Sequence, residues 1–258
     1  MLYSTKKLDG LKLGARDGEI GKAREIYFDD QHWVIRHLVA DTGGWLSGRK
    51  VLISPHSIER VDAGEGRLEL NLTRSQIENA PDIDTDKPVS RQQQTPYYDY
   101  YGYPYYWAGP GLWGLGAYPM AVDAMAMRPR EDDTGVAREV NEVAEAERET
   151  ADPHLRSSDE VIGYDVKATD GDIGHIEEFL FDDRTWQIRY IVVDTRDWLP
   201  GKRVLVSPDW IDSVDWSGRV AHFKVSREAV EASPEYQPDR GLSEEEVQRV
   251  QRHFEGWQ

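Results

Sequence analysis

The sequence predicts an all-β fold with a few short helices: two small β-barrels made by tandem duplication and joined by a long linker. Three observations carry this reading. The first is a repeat at constant shift. Phe28-Asp29-Asp30 returns as Phe181-Asp182-Asp183, and Ser54-Pro55 returns as Ser207-Pro208, each 153 residues later (181 − 28 = 208 − 55 = 153). A fixed shift without gaps means one fold written twice. The second is a run of short apolar–polar alternations with turn signals about every 8–12 residues, the pattern of a sandwich or barrel. The third is what the copies keep. Ile20, Ile26 and Phe28 become Ile173, Phe179 and Phe181, whereas solvent-side positions drift, Lys22 to His175 and Gln31 to Arg184.

Taken in order, Leu8 to Gly14 alternates apolar and polar residues, as a half-buried strand does. Asp17-Gly18 is a hairpin signal. Ile20, Ile26 and Phe28 then share one face of the next strand. Asp29-Asp30-Gln31-His32 turns the chain. Trp33, Ile35 and Val39 resume on one face, with Leu38 and Ala40 on the other, so this strand is expected to be covered on both sides. Arg49 to Ser54 is a further strand, broken by Pro55. Leu68, Leu70 and Leu72 alternate with Glu69 and Asn71. Thr73 caps a short helix with Gln76 completing a capping box, and the helix ends before Pro81. The second copy follows the same plan, with Ser226 as the cap. Closure into barrels would also remove the exposed edges of a short sheet. The expected partition is residues 1–85 for the first barrel, 86–153 for the linker, 154–236 for the second barrel and 237–258 for a helical tail.

The linker changes character along its length. A polar stretch with a short helix from Ser90 leads into a Tyr-, Trp- and Gly-rich run from Pro96 to Gly116. Tyr100 to Val122 carries no charge, which is near the roughly 20 residues of a membrane span. Pro104, Pro110 and Pro119 argue against a spanning helix, because broken backbone bonds find no water in lipid. The run can instead pack on the first barrel, meet a partner or membrane surface, or self-associate. Glu131 to Asp152 is acidic and reads as a solvated linker with a weak amphipathic helix. In the tail, Ser243-Glu244-Glu245-Glu246 starts a helix whose apolar stripe is Val247, Val250 and Phe254.

The formal charge of −17 opposes binding to a phosphate backbone, so no nucleic-acid partner is expected. The chain has no Cys, which removes disulfides and thiolate metal sites. Its first residues, Met1 to Lys7, lack the apolar run of a signal peptide, so a cytoplasmic location is expected.

Gly18-Glu19-Ile20-Gly21-Lys22, then Phe28-Asp29-Asp30 with Trp33, then Asp41-Thr42-Gly43-Gly44-Trp45-Leu46 and Val51-Leu52-Ile53-Ser54-Pro55 together resemble the PRC-barrel domain family. The second copy fits as well, with Arg196-Asp197 in place of Gly43-Gly44. The resemblance implies non-catalytic docking modules, similar to the cytoplasmic part of the photosynthetic reaction centre H subunit and to a C-terminal domain of a ribosome maturation factor. The chain departs from the first in having no clear N-terminal membrane helix and from the second in lacking its other domain.

No convergent catalytic set stands out, and no cofactor or metal is expected. Asp41-Thr42-Gly43 resembles the start of an aspartic-protease site, and a duplicated chain could pair Asp41 with Asp194. The second copy reads Asp194-Thr195-Arg196, however, and each Asp is more simply a strand end that caps the following loop. Asp29-Asp30 and Asp182-Asp183 fit turns better than a cation shell. None of the seven histidines has the spacing of a ligand pair. The candidate interaction surface is aromatic: Trp45 and Leu46 with their repeats Trp198 and Leu199, and Tyr101, Tyr105, Trp107 and Trp113 of the linker. The expected function is therefore a non-enzymatic scaffold or adaptor for protein partners. The alternatives are a peripheral component of a membrane-bound electron-transfer complex, on the inner face of the membrane, and an aspartic hydrolase using Asp41 and Asp194.

Overall fold

The computed structural model describes residues 1–46, 48–62, 64–81, 91–120, 155–195, 202–238 and 242–255. The acidic segment from Glu131 to Asp152 and the pair Trp198-Leu199 lie outside the described residues. The first copy runs β1 (Leu2–Ser4), α1 (Thr5–Leu8), β2 (Lys12–Ala15), β3 (Gly18–Asp29), β4 (Val34–Asp41), β5 (Lys50–Ile53), a 3₁₀ turn (Pro55–Ser57), β6 (Ile58–Asp62), β7 (Arg67–Leu70), α2 (Arg74–Glu78) and α3 (Arg91–Tyr101). The second runs β8 (Leu155–Ser157), α4 (Ser158–Val161), β9 (Asp165–Ala168), β10 (Gly171–Asp182), β11 (Ile188–Asp194), β12 (Arg203–Val206), a 3₁₀ turn (Pro208–Trp210), β13 (Ile211–Asp215), β14 (Val220–Phe223), α5 (Arg227–Ala232) and α6 (Glu244–Glu255).

The chain packs as two compact units, each built on a sheet of seven strands. The first unit holds residues 7–157 and 184–186, with strand order β5-β4-β3-β2-β7-β6 and β8 paired to β3. The second holds residues 1–6, 158–183 and 187–258, with order β12-β11-β10-β9-β14-β13 and β1 paired to β10. The opening strand of each copy therefore completes the sheet of the other. The registers match residue for residue: Leu2 faces Asp182 and Ser4 faces Leu180, while Leu155 faces Asp29 and Ser157 faces Tyr27. This departs from the linear partition at residues 85 and 154. The apolar pattern of the two copies is so alike that either strand fits either sheet.

The sheets curl without closing. In the first unit β5 and β6 end the hydrogen-bonded order and are joined by the 3₁₀ turn, where Ser54 Oγ accepts from the His56 N–H. Pro55 supplies no N–H for a ladder, so a turn replaces the pairing that would have sealed the ring. Where β3 passes from its pairing with β2 to its pairing with the end of β4, the close backbone approach needs a glycine. A Cβ on Gly21 would sit 2.0 Å from the Asp41 carbonyl oxygen, and one on Gly174 would sit 1.9 Å from that of Asp194. Strand β4 is buried from Val34 to Ala40, as its two apolar faces require. Trp33 is not part of it: its backbone is left-handed (φ 55°) and closes the turn, with its ring stacked on Phe28. Thr73 and Gln76 form the reciprocal cap at the start of α2.

Candidate functional site

The most elaborate feature of the first unit surrounds Arg36. This residue lies in β4, on a strand otherwise lined with apolar groups, and is 1% exposed. A buried guanidinium must find charge and acceptors, and here it has both. Its Nη2 lies 2.9 Å from Asp29 Oδ2, and its Nη1 donates to the carbonyl of Leu112. The ring of Tyr106 lies over it at 3.9 Å and that of Trp113 at 4.9 Å. Burial alone would raise the Asp29 pKa, but the charge and hydrogen bond of Arg36, with the Gln31 N–H and His32, outweigh it and hold the carboxyl below its ordinary range. The same carboxylate shapes the turn, since Oδ1 accepts from the Gln31 and His32 amides.

Two histidines extend this core. His37 Nε2 lies 3.3 Å from Gln94 Oε1, which also accepts from the Tyr106 hydroxyl. His56 stacks on Tyr103 at 5.0 Å, meets Trp113 edge-on, and places Nδ1 2.9 Å from the Met120 carbonyl. Burial lowers His37 to about 3 and His56 to about 4, with the charge of Arg36 adding to the effect, so both are neutral at physiological pH. Burial also raises the phenols of Tyr97, Tyr98, Tyr101 and Tyr103, so each stays protonated. These histidines and tyrosines therefore do not exchange protons near neutral pH. They bind the aromatic segment to the sheet. The Tyr97 hydroxyl donates to the Leu52 carbonyl and accepts from the Ser54 amide, and Trp113 Nε1 donates to the Thr185 carbonyl at 2.8 Å.

The residues expected on an interaction surface divide accordingly. Tyr101 and Trp113 are each 2% exposed. They are core and not surface, because α3 and the Gly-rich turns press them against the sheet. Tyr105 and Trp107 are half-buried and stack at 4.9 Å. Trp45 and Leu46 are half-buried, with the Arg74 guanidinium 4.7 Å from the Trp45 ring. The large apolar side chains left exposed in this segment are Tyr100, Leu115, Tyr118 and Met120. Sequence reasoning missed this rim, as well as Arg36. A guanidinium within the apolar run Val34 to Ala40 was the available signal.

Asp41 and Asp194 fall in different units. Asp41 ends β4 and caps its loop. The Gly43 N–H first, then Arg24, lowers its pKa. Asp194 ends β11 beside Arg203 and is buried. Among the described residues no group of three or more His, Asp or Glu side chains could hold a metal ion. Among them, too, no helix is long and apolar enough to cross a membrane.

No curated protein matches the chain. The model of the PRC-barrel domain matches residues 3–77 and again 153–226, over half of the sequence. Those two spans are the two copies of the strand plan described above, and the chain belongs to the PRC-barrel domain family.

Proposed function

We propose that this protein is a non-catalytic PRC-barrel scaffold that docks a protein partner through the aromatic rim of its first unit. The observation that carries this reading is where apolar surface remains. Apart from Met1, the exposed large hydrophobic residues among the described residues are Tyr100, Leu115, Tyr118 and Met120, with Leu115 at 80% exposure. The groups beneath them are spent on holding the segment rigid: Arg36 is paired, His37 and His56 are neutral, and the tyrosines are protonated. An apolar rim over a core whose guanidinium is paired and whose histidines and tyrosines are uncharged suits recognition better than chemistry. Its setting is expected to be the cytoplasm.

The test is affinity capture with the full chain from its own cells, with crosslinking to identify the captured protein and its contact point. Leu115→Ser, Tyr118→Ser and Met120→Ser combined should abolish capture and leave the thermal midpoint unchanged. Capture that persists in this variant would refute the reading. Point substitutions are used because Tyr97, Tyr98, Tyr101 and Trp113 of the same segment belong to the core.

A second reading, a peripheral component of a membrane-bound electron-transfer complex, draws on the same uncharged rim. Liposome flotation separates the two. Co-flotation that the triple variant loses favours the membrane.

A further inference from the structure

The repeat runs past the two family matches. The helices α3 and α6 begin 153 residues apart (244 − 91 = 153). They dock alike in their own units. Tyr97 and Val250, matching positions, are 1% and 2% exposed. The Tyr100 hydroxyl donates to the Gln76 carbonyl at 2.9 Å, and His253 Nε2 lies 2.7 Å from the carbonyl of Ala229, the match of Gln76. Up to these helices the two units carry the same parts.

They differ in what covers one face. In the first unit residues 103–120 fold over β4 and the 3₁₀ turn, so that Arg36 and all of Pro55–Ser57 are buried. In the second unit the matching strand β11 is buried everywhere except at Arg189, the match of Arg36. The matching turn Pro208–Trp210 has no buried residue. Arg189 Nη1 donates to Gln187 Oε1 at 3.0 Å, two residues before it in the chain. The first unit thus shows what this surface accepts when it is covered: rings over the guanidinium, a backbone carbonyl at its Nη1, and a ring against the 3₁₀ turn.

We propose that Arg189 and the turn Ser207–Trp210 form a docking site for a Tyr/Trp- and Gly-rich segment of a partner protein, seated as residues 103–120 are on the first unit. The inference builds on the reading of the chain as a docking module and adds a second surface with a stated ligand chemistry. A planar guanidinium can take an aromatic ring on its face while donating in its plane to a carbonyl. Glycines let the ligand backbone approach that closely. Asp209 stands where the first unit has His56, so a ligand here meets a carboxylate acceptor and gains from a Trp N–H or Tyr hydroxyl directed at it.

The test titrates a labelled synthetic peptide of residues 103–120 into the full chain and follows anisotropy. Saturable binding is expected, about tenfold weaker in Arg189→Ala, with Arg189→Lys recovering only part of the loss. Trp210→Ala should weaken it as well. Arg189 is exposed, so its replacement leaves the core intact, which an unchanged thermal midpoint would verify. Absent saturation, or binding unaffected by Arg189→Ala, would overturn the proposal. So would binding lost instead in the Leu115, Tyr118 and Met120 variant, which would place the peptide on the first unit. Self-association or vesicle binding that Arg189→Ala abolishes, without peptide binding, would assign the face to a second copy or to lipid and also overturn it. Failure here with rim-dependent capture retained would remove this site alone. Failure of rim capture with peptide bound at Arg189 would remove the rim alone.

Discussion

Arg36 and Asp29 form an ion pair 2.9 Å long with both side chains withdrawn from solvent. The counterpart of Arg36 153 residues on, Arg189, is exposed and donates to Gln187 at 3.0 Å. The same residue type thus serves opposite environments, and the difference is the aromatic cover. Removing one partner of the buried pair strands the other. Asp29→Ala should cost about 3–5 kcal/mol. Arg189→Ala, at an exposed position, should cost about 1 kcal/mol or less. Urea unfolding of the two variants checks the contrast. Equal losses would show that the cover does not desolvate the pair.

Acid should release the aromatic segment. His37 and His56 sit at about 3 and about 4 in the folded chain, against an ordinary 6.5. The unfolded chain therefore binds protons first. Their contribution is complete above pH 6.5 and is lost as pH falls from 6.5 toward the folded values, each on the order of a few kcal/mol. Asp29, lowered from 3.8, acts in the same direction at still lower pH. Unfolding midpoints measured down this range should fall steeply. His37→Gln with His56→Gln should flatten the slope, even if the variant is less stable at neutral pH. A slope unchanged in the variant would place the acid sensitivity elsewhere.

Two glycines of the first unit offer a sharper contrast. At Gly21 a methyl group would meet the Asp41 carbonyl, and the φ of 139° is itself foreign to an L-residue. Gly43, with φ 54°, has nothing within 4 Å of an added Cβ. Gly21→Ala should therefore cost about 3 kcal/mol or more, through strain together with displaced backbone, whereas Gly43→Ala should cost about 1 kcal/mol. Thermal midpoints of the two variants measure the difference. Near-equal values would mean that the close approach of Gly21 to the Asp41 carbonyl relaxes freely.

Much of the strand plan could be read from the chain. The constant shift and the kept positions, Ile20 with Ile173 and Phe28 with Phe181, name residues that are in fact buried. The strand through Val39 was recognisable as covered on both sides. Three things were not legible, each for a physical reason. Exchange of β1 and β8 leaves every side-chain alternation unchanged, so the pattern cannot distinguish it from pairing within a copy. Arg36 and Arg189 are the same residue type, and only the cover, which comes from the linker, decides which is buried. Tyr101 and Trp113 lie in an uncharged Tyr/Trp run that suits a half-wet interface as well as a core. Their burial depends on α3 placing the run against β5 and the 3₁₀ turn.

The exchanged strand gives the most direct test of the architecture. Residues Leu2–Ser4 pair with β10, Ser4 Oγ donates to the buried Glu178, and the Phe179 amide donates to Thr5 Oγ1 at 3.1 Å. Removing residues 1–4 uncovers one edge of β10 and takes the hydroxyl away from a carboxylate whose pKa burial already raises. Amides of Glu178 to Asp182 should then lose hydrogen-exchange protection by about tenfold or more, while those of Glu25 to Asp29, paired with β8, keep theirs. Were β1 instead the neighbour of its own copy, the loss would appear at Glu25 to Asp29. The position of the unprotected peptides thus reports which sheet the first strand completes, without reference to overall stability.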